Sequence, residues 1–268
     1  MPLPFDRFDP LTARYHGENA VALAHAARLA YTQDAAACIA QAAKWGFPKA
    51  RPIDARETQC LVMGNASAVV VAFRGTEPAK LQDWMSDLDV DLVPGPFGRV
   101  HDGFQRALAH VWDTLGACVA EFQDQGQSLW VTGHSLGAAL GTLACAHWRE
   151  ADKPVHGLYT FGAPRTGNRD FERTFNQDFG ARNFRFVNNA DLVTRVPLRE
   201  MGYSHAGKLV YFDDKGKLQT DPGWWSRFLN HVQAHIADLG QPGLAGIKAH
   251  SMDRYVKQCE KNRAAQPF

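Results

Sequence analysis

The sequence has no long apolar run. Every apolar segment falls short of the roughly 20 residues that a membrane-spanning helix needs. Dense clusters of Lys and Arg are also missing, and the formal net charge is only +1, so nothing in the composition suggests a nucleic-acid partner. With 45% hydrophobic and 21% charged residues, the chain is predicted to be a folded globular protein rather than a disordered one.

Paired cysteines are missing as well. The five cysteines lie far apart and no two form a Cys-x-x-Cys motif, so neither a zinc site nor a thioredoxin-like motif is expected. An odd, scattered set is also a poor disulfide scaffold, and we expect small buried thiols in a reducing compartment. Because the N-terminus has neither the basic start nor the apolar run of a signal peptide, a cytoplasmic location is favoured over secretion.

Strands and helices alternate along the chain. Residues 68–73 form a continuous apolar run, typical of a strand buried on both faces. Strands are also predicted over 57–63, 129–132, 155–161 and 184–188, and helices over 18–44, 80–92, 103–123, 136–148 and 223–239. This alternation predicts βαβ units, a mainly parallel central sheet flanked by helices, and a single α/β domain over residues 1–268.

The strongest local signal is Gly-His-Ser-Leu-Gly at residues 133–137. It contains Gly-x-Ser-x-Gly between a predicted strand and a predicted helix, the setting of a nucleophile on a sharp turn. The glycines leave room for a strained backbone, and the helix directs its first N–H groups at the same spot. A glycine-lined turn with an idle serine is the alternative, but the flanking elements argue against it. We therefore predict that Ser135 is the nucleophile.

A serine hydroxyl needs a base to take its proton, and a carboxylate usually orients that base. Asp191 follows the predicted strand 184–188 after a short turn and fits the order Ser, Asp, His. The other downstream aspartates lie in polar loops or a hairpin tip and fit less well: Asp170, Asp178, Asp213 and Asp214.

Two downstream histidines, His205 and His250, lie on predicted loops from which an imidazole can reach both partners. His231 and His235 lie four residues apart on the predicted helix 223–239, where a packing role is favoured. That spacing could bind a metal, but no carboxylate partner stands out, and no metal site is predicted.

An oxyanion hole also requires two donors. One should be the backbone N–H of Leu136, the residue after the nucleophile, and the other should come from a loop after an earlier strand. The loop after the strand 68–73 fits, because Thr76 offers both an N–H and a hydroxyl.

Several segments together resemble the class 3 lipases of the fungal triacylglycerol-lipase type. In order, they are Phe-Arg-Gly-Thr at 73–76, Val-His-Asp-Gly-Phe at 100–104, the serine motif at 133–137, Phe-Gly-Ala-Pro-Arg-Thr-Gly-Asn at 161–168, residues 188–197 and His-Ser-Met-Asp-Arg-Tyr at 250–255. The resemblance covers residues 20–258. It implies an α/β-hydrolase fold, a triad of Ser135, Asp191 and His250, Thr76 and Leu136 as oxyanion donors, and a lid helix after Thr76.

The expected lid spans about residues 77–93. Its apolar side chains fall at helical offsets of three and four on one face, namely Leu81, Trp84, Met85 and Leu88. An amphipathic helix packed permanently on the core is the alternative. The position directly after the expected oxyanion loop favours a lid that opens at a lipid–water interface.

The resemblance implies hydrolysis of carboxylic esters, acylglycerols above all, without a metal or organic cofactor. Glu77 and Pro78 look more like plant phospholipase-type and bacterial members, so a phospholipase A1 or a short-chain or aromatic esterase remains an alternative. Outside the enzymes, the alternative is a non-catalytic signalling protein on a lipase-like scaffold. The expected partners are a lipid or other ester substrate and, transiently, a lipid–water interface. The sequence does not define an oligomeric state.

Overall fold

The computed structural model describes residues 2–77, 80–86, 90–219 and 244–268. The helices in this part of the chain are α1 Gly17–Leu29, α2 Ala35–Lys44, α3 Leu81–Ser86, α4 Asp102–Phe122, α5 Leu136–Glu150, α6 Arg169–Phe179, α7 Leu244–Ala249 and α8 Met252–Lys261. The strands are β1 Lys49–Ala55, β2 Thr58–Gly64, β3 Ala68–Phe73, β4 Leu92–Gly95, β5 Gly98–His101, β6 Ser128–His134, β7 Gly157–Phe161, β8 Gly167–Asn168, β9 Asn183–Asn188, β10 Tyr203–Ser204, β11 Lys208–Phe212 and β12 Leu218–Gln219.

Eight of the strands form one sheet in the order β1-β2-β3-β6-β7-β9-β11-β12. The central pairs from β3 to β11 are parallel, while the antiparallel pairs lie at the two edges. Every residue of β3, β6, β7 and β9 is buried. The prediction of a mainly parallel central sheet flanked by helices is therefore confirmed.

The two faces of the sheet carry separate apolar cores. On one face, side chains such as Trp130, Tyr159 and Phe186 pack against α1, α2 and α8. On the other face, side chains such as Val71 and Val131 pack against α4, α5 and α6. Alternate residues of one strand supply the two cores, which is why the strands read as continuous apolar runs. None of the helices in the described ranges is long and apolar enough to span a bilayer.

The structure differs from the predicted elements in several places. Helix α6 was not predicted, and it carries Asp170 and Asp178, which were expected in polar loops. The expected helix over 18–44 is two helices, because Asp34 accepts hydrogen bonds from the N–H groups of Ala36 and Ala37 and so starts α2 afresh. Strand β1 was not predicted, since its polar alternation suits an exposed edge. Leu92, expected at the end of a helix, instead begins β4 and pairs with His101.

A second, small sheet was also not predicted. Its order is β10-β8-β5-β4, and all four strands have only two to four residues, too few to carry a clear alternation. The hairpin tip expected at Asp213 and Asp214 is confirmed, with β11 and β12 on either side. The predicted helix 223–239, with His231 and His235, lies outside the described residues.

Candidate active site

Ser135 lies on the turn between β6 and α5. Its backbone has φ 59° and ψ −130°, a left-handed conformation that is costly for any residue other than glycine. The residue is fully buried, and its N–H donates to the Phe161 carbonyl at 3.0 Å. Since the turn is tied to the neighbouring strand β7 in this way, the strain at Ser135 is held by the sheet.

The two glycines of the motif are required by close backbone approaches. A Cβ atom at Gly133 would lie 2.3 Å from the Gly137 carbonyl oxygen, and a Cβ atom at Gly137 would lie 2.3 Å from the Phe73 carbonyl oxygen. Real Cβ atoms do not approach this closely, so larger residues would force the helix away from the sheet. The first turn of α5 therefore sits directly against the end of β3.

Asp191 and His250 meet in the interior at one end of the sheet. The Nδ1 atom of His250 lies 2.9 Å from Asp191 Oδ2 and 3.0 Å from Oδ1. Both side chains are almost completely buried. The loop that carries His250 is attached to the sheet, because the side-chain amide of Asn188 at the end of β9 donates to the Ala249 carbonyl at 2.9 Å.

The carboxylate of Asp191 has further donors. Tyr255 on α8 donates its hydroxyl to Oδ2 at 2.5 Å, and the Val193 N–H donates to Oδ1 at 3.0 Å. Burial alone would raise the pKa of Asp191. The charge of His250, its hydrogen bond to the carboxylate and the hydrogen bond from Tyr255 outweigh burial and lower this pKa overall. Burial and the Asp191 charge raise the pKa of Tyr255, so the phenol stays protonated and remains a donor.

Two reactive atoms are buried without a hydrogen-bond partner among the described residues: Ser135 Oγ and His250 Nε2. They do not bond to each other in this structure. Hydrogen bonds between a nucleophile and its base are often long before substrate binds. Unsatisfied buried polar atoms are rare and cost free energy, and here one belongs to a serine on a strained turn and the other to a histidine bonded to a carboxylate.

The loop after β3 lies against the serine turn. A Cβ atom at Gly75 would lie 2.9 Å from the Ser135 Cβ, so no side chain fits between the loop and Ser135. Thr76 and Leu136 are half-buried, and both line a groove of about 1250 Å³. The N–H of Leu136 is in the first turn of α5, where helix geometry provides it with no acceptor.

The other candidates lie elsewhere. His205 is bound through Nε2 to the Thr194 carbonyl at 2.7 Å, whereas His250 contacts Asp191. Among the alternative aspartates, Asp170 pairs with Arg173, Asp178 pairs with Arg149, and Asp213 accepts bonds within its own hairpin. No cluster of three potential metal ligands occurs within the described ranges.

The expected lid residues divide into described and undescribed ones. Leu81 is 2% exposed, and Trp84 stacks on Phe104 with ring centroids 6.3 Å apart. Met85 belongs to the same helix, α3, while Leu88 lies outside the described residues. The helix therefore directs Leu81 and Trp84 toward the protein at the edge of the groove.

Sequence reasoning did not assign roles to several residues of the site. Gly162 has φ +60°, and a Cβ there would lie 2.8 Å from both Asp191 and His250, so only glycine leaves room for that pair. Tyr255 touches the carboxylate from five residues beyond His250. No periodic or spacing signal marks Tyr255, because its contact depends on how α8 packs.

Comparison with known proteins places this geometry in a family. The model of the family described as lipase (class 3) matches residues 70–201. A phospholipase A1-II 1 of Oryza sativa subsp. indica is 32% identical over 209 residues, covering 67% of this chain and 50% of the relative. A secreted mono- and diacylglycerol lipase 1 of Fusarium solani is 34% identical over 160 residues, covering 57% and 46%. The chain thus spans about half the length of the curated relatives it matches.

Solved structures agree with this. A triacylglycerol lipase whose catalytic centre is a serine-protease triad superimposes with a TM-score of 0.65 at 26% identity, covering 75% of this chain and 81% of that one. The fold is therefore that of the α/β-hydrolases. The chain belongs to the class 3 lipase family.

The expected cytoplasmic location is wrong. The matched relatives include lipases named as secreted, from Malassezia restricta, Fusarium solani and Penicillium cyclopium. The five cysteines are buried and unpaired, as expected. Burial raises the pKa of thiols such as Cys60 and Cys145 and so suppresses the reactive thiolate. Buried thiols of this kind can persist in any compartment, and for this reason they gave no reliable sign of location.

We expect Tyr255→Phe to weaken the fold through Asp191. A hydrogen bond to a charged group contributes about 1.5–3 kcal/mol, and this loss should appear in the free energy of unfolding at neutral pH. The pKa of Asp191 is lowered in the folded protein, so its stabilisation is present above the ordinary aspartate pKa and is lost as pH falls through the folded value. The difference between variant and wild type should therefore narrow in acid.

Urea denaturation at neutral and acidic pH measures this effect. Tyr159→Phe is the matched control, because the Tyr159 hydroxyl accepts its hydrogen bond from a neutral group, the backbone N–H of His16. An equal loss in both variants at every pH would contradict the role given to the Asp191 charge.

Proposed function

We propose that this protein is a serine ester hydrolase that acts on acylglycerols through Ser135, His250 and Asp191. The observation that carries the proposal is the buried His250–Asp191 bond of 2.9 Å, found beside a serine on a strained strand-to-helix turn. The unpartnered Ser135 Oγ and His250 Nε2 atoms support it, because this chemistry needs those two atoms for the proton transfer. The class 3 lipase family supports the same class of reaction.

In the acylation step, Ser135 Oγ attacks the ester carbonyl carbon and its proton passes to His250 Nε2. The tetrahedral intermediate collapses, and the leaving alcohol takes the proton from His250. In the deacylation step, water gives a proton to His250 and its oxygen attacks the acyl carbon. The second intermediate then collapses, the carboxylic acid is released, and His250 returns the proton to Ser135 Oγ. Asp191 holds the imidazole with Nδ1–H toward itself and stabilises the imidazolium that forms in each step.

The oxyanion would be held by the backbone N–H of Leu136 and by Thr76. Support comes from the close approach of the 74–77 loop to Ser135 and from the groove that Thr76 and Leu136 share. The orientation of this loop is fixed by Arg74, which bonds Glu77 at 2.5 Å and the Gln59 side chain at 3.2 Å.

Residues 77–93 would act as a lid over this groove. Support comes from Leu81, which is buried, and from the stacking of Trp84 on Phe104. Both contacts withdraw apolar surface from water, and each such side chain contributes about 1.5–3 kcal/mol when buried. A lipid surface can replace these contacts and so shift the helix toward an open arrangement.

A phospholipase A1 activity is the second candidate. It is favoured by the match to a relative named phospholipase A1-II 1. Hydrolysis of a triglyceride emulsion, of phospholipid vesicles and of a chain-length series of p-nitrophenyl esters, measured side by side, separates a lipase from a phospholipase and from a plain esterase.

Ser135→Ala should remove ester hydrolysis while the fold remains intact. Loss of the nucleophile in a serine protease lowers kcat by about 10⁶-fold. Reaction with a fluorophosphonate probe should disappear in this variant and persist in Ser67→Ala, which alters an exposed turn serine. A variant that keeps more than a few per cent of the activity, once contaminating esterases are removed, rules out the nucleophile. An unlabelled wild type would instead favour a non-catalytic protein.

The choice of base is tested by two histidine variants. His250→Ala should be about as damaging as Ser135→Ala, because the triad acts as a unit. His205→Ala should preserve kcat, since His205 is bonded to the Thr194 carbonyl. The reverse pattern of activities would assign the base to His205.

Thr76→Val should lower kcat with little change in KM. The substitution keeps the shape and backbone N–H of Thr76 and deletes only the hydroxyl. Removal of one oxyanion donor typically costs about 2.7–4 kcal/mol in the barrier. Thr76→Ser keeps the hydroxyl and should retain most of the activity. An effect confined to KM would show that Thr76 binds the ground-state substrate instead.

The lid is tested by activity against a sparingly soluble ester, measured across its solubility limit. Wild type should rise sharply past the limit, and Trp84→Ser should lose mainly that rise. Trp112→Ser is the control, because Trp112 also packs against an aromatic residue, with its ring centroid 5.5 Å from that of Trp148, but does not line the groove. Simple saturation below the limit in all three proteins would indicate a fixed helix and a plain esterase.

A further inference from the structure

A second histidine, His134, is buried beside the base. Its ring centroid lies 4.4 Å from that of His250, and it directly precedes Ser135. Each of its ring nitrogens has a close partner. Nδ1 lies 2.7 Å from the hydroxyl oxygen of Tyr31, and Nε2 lies 2.6 Å from the carbonyl oxygen of His250.

These partners determine the tautomer of His134. A backbone carbonyl can only accept, so Nε2 must carry the proton and donate it to His250. In the neutral ring Nδ1 is then an acceptor, and the Tyr31 hydroxyl donates to it. Burial, and next the neighbouring charge on His250, lower the pKa of His134 to about 3. The ring is therefore neutral at physiological pH, and the direction of both bonds is fixed.

The Tyr31 end of this series of hydrogen bonds reaches the loop with Gly75 and Thr76, which is the proposed oxyanion loop. A Cβ atom at Gly75 would lie 2.4 Å from the Tyr31 hydroxyl oxygen and 2.4 Å from the His134 carbonyl oxygen. The guanidinium of Arg74 lies over the Tyr31 ring, 5.8 Å from its centroid. Tyr31 itself follows α1, so it brings a fourth segment of the chain to the site.

The contacts of Tyr31 and His134 therefore join three loops that belong to different parts of the fold. They are the loop with Gly75 and Thr76, the turn with Ser135, and the segment that ends at His250. Loops on a sheet shift more easily than the strands beneath them, and an error of about 1 Å in the position of a reacting group can cost about 100-fold in rate. The His134 bond to the His250 backbone acts on the base itself.

We propose that Tyr31 and His134 are positioning residues that set the base and the oxyanion loop at a fixed distance from Ser135. They form no hydrogen bond with Ser135 Oγ or His250 Nε2 and act through the His250 backbone and the Gly75 segment. The inference rests on the function proposed above, since it concerns the placement of that triad. The interaction that it adds is the hydrogen-bonded line from Tyr31 through His134 to the carbonyl of His250.

Substitutions can remove the Tyr31–His134 hydrogen bond and the His134–His250 hydrogen bond separately. In His134→Gln, the side-chain amide can still donate to the His250 carbonyl but presents no acceptor at the Nδ1 position. In His134→Asn, the shorter amide can accept from Tyr31 but cannot reach His250. Tyr31→Phe removes the hydroxyl and keeps the ring. Tyr159→Phe is the control, because it deletes another buried hydroxyl that accepts a single backbone bond.

The readouts are kcat and KM for a soluble p-nitrophenyl ester, the rate of labelling by a fluorophosphonate, and the melting temperature. We expect His134→Asn and Tyr31→Phe to lower kcat and the labelling rate together by about 10- to 100-fold, with KM changed less than twofold. His134→Gln should retain more activity than His134→Asn. Adding Tyr31→Phe to His134→Gln should cost less than Tyr31→Phe does alone, because the acceptor is already gone.

Tyr159→Phe should lower the melting temperature as much as Tyr31→Phe does and leave kcat unchanged. If all variants keep wild-type kcat and labelling while only their melting temperatures fall, the line is merely structural and the inference is overturned. Independent, additive effects of Tyr31→Phe and His134→Gln would also overturn it. A wild type that neither hydrolyses esters nor reacts with the fluorophosphonate would sink the proposed function itself, which is a distinct result.

Discussion

The left-handed backbone at Ser135 is the constraint on which the rest of the site depends. A non-glycine residue in such a conformation costs about 1–3 kcal/mol and persists only where its surroundings enforce it. The enforcement here comes from both sides of the turn: the N–H of Ser135 bonds to β7, and Gly137 holds α5 against the end of β3. Both contacts require the parallel sheet, so Ser135 is positioned by the fold as a whole.

The same topology explains why distant segments meet at the site. Strands β3, β6 and β9 are parallel within one sheet, so their carboxyl ends lie at one edge. The loops that leave them carry Thr76, Ser135 and Asp191, which places all three at the same edge without any local sequence relation between them. His250 arrives from outside the sheet, between α7 and α8, and is fixed there by contacts to Asn188 and Asp191. Of these four residues, His250 is thus the one whose position depends most on side-chain contacts.

The sequence predicts the parts of the structure that local signals determine, but not the parts that depend on long-range contacts. Buried strands and the serine turn follow from apolar runs and from glycines at fixed offsets, which are local signals. Edge strand β1, the break between α1 and α2 at Asp34, and the short strands of the small sheet depend on long-range pairing or on one capping side chain. Residues alone left His205 and His250 as equal candidates, because nothing in a single sequence tells which loop reaches Asp191. Tyr255 and the partners of His134 could be found only from the packing.

The two adjacent histidines show how partners alone assign different chemistry to the same side chain. His250 faces a carboxylate that is kept ionised by Tyr255 and a backbone N–H, so a positive charge that develops on its ring is stabilised. His134 faces a phenol and a carbonyl, and neither is charged. The His134 and His250 ring centroids lie 4.4 Å apart, so a positive charge on His134 would repel a positive charge on His250, and the neutral state of His134 avoids this repulsion. Burial makes both assignments firmer, because in the interior each charge is screened less than it would be in water.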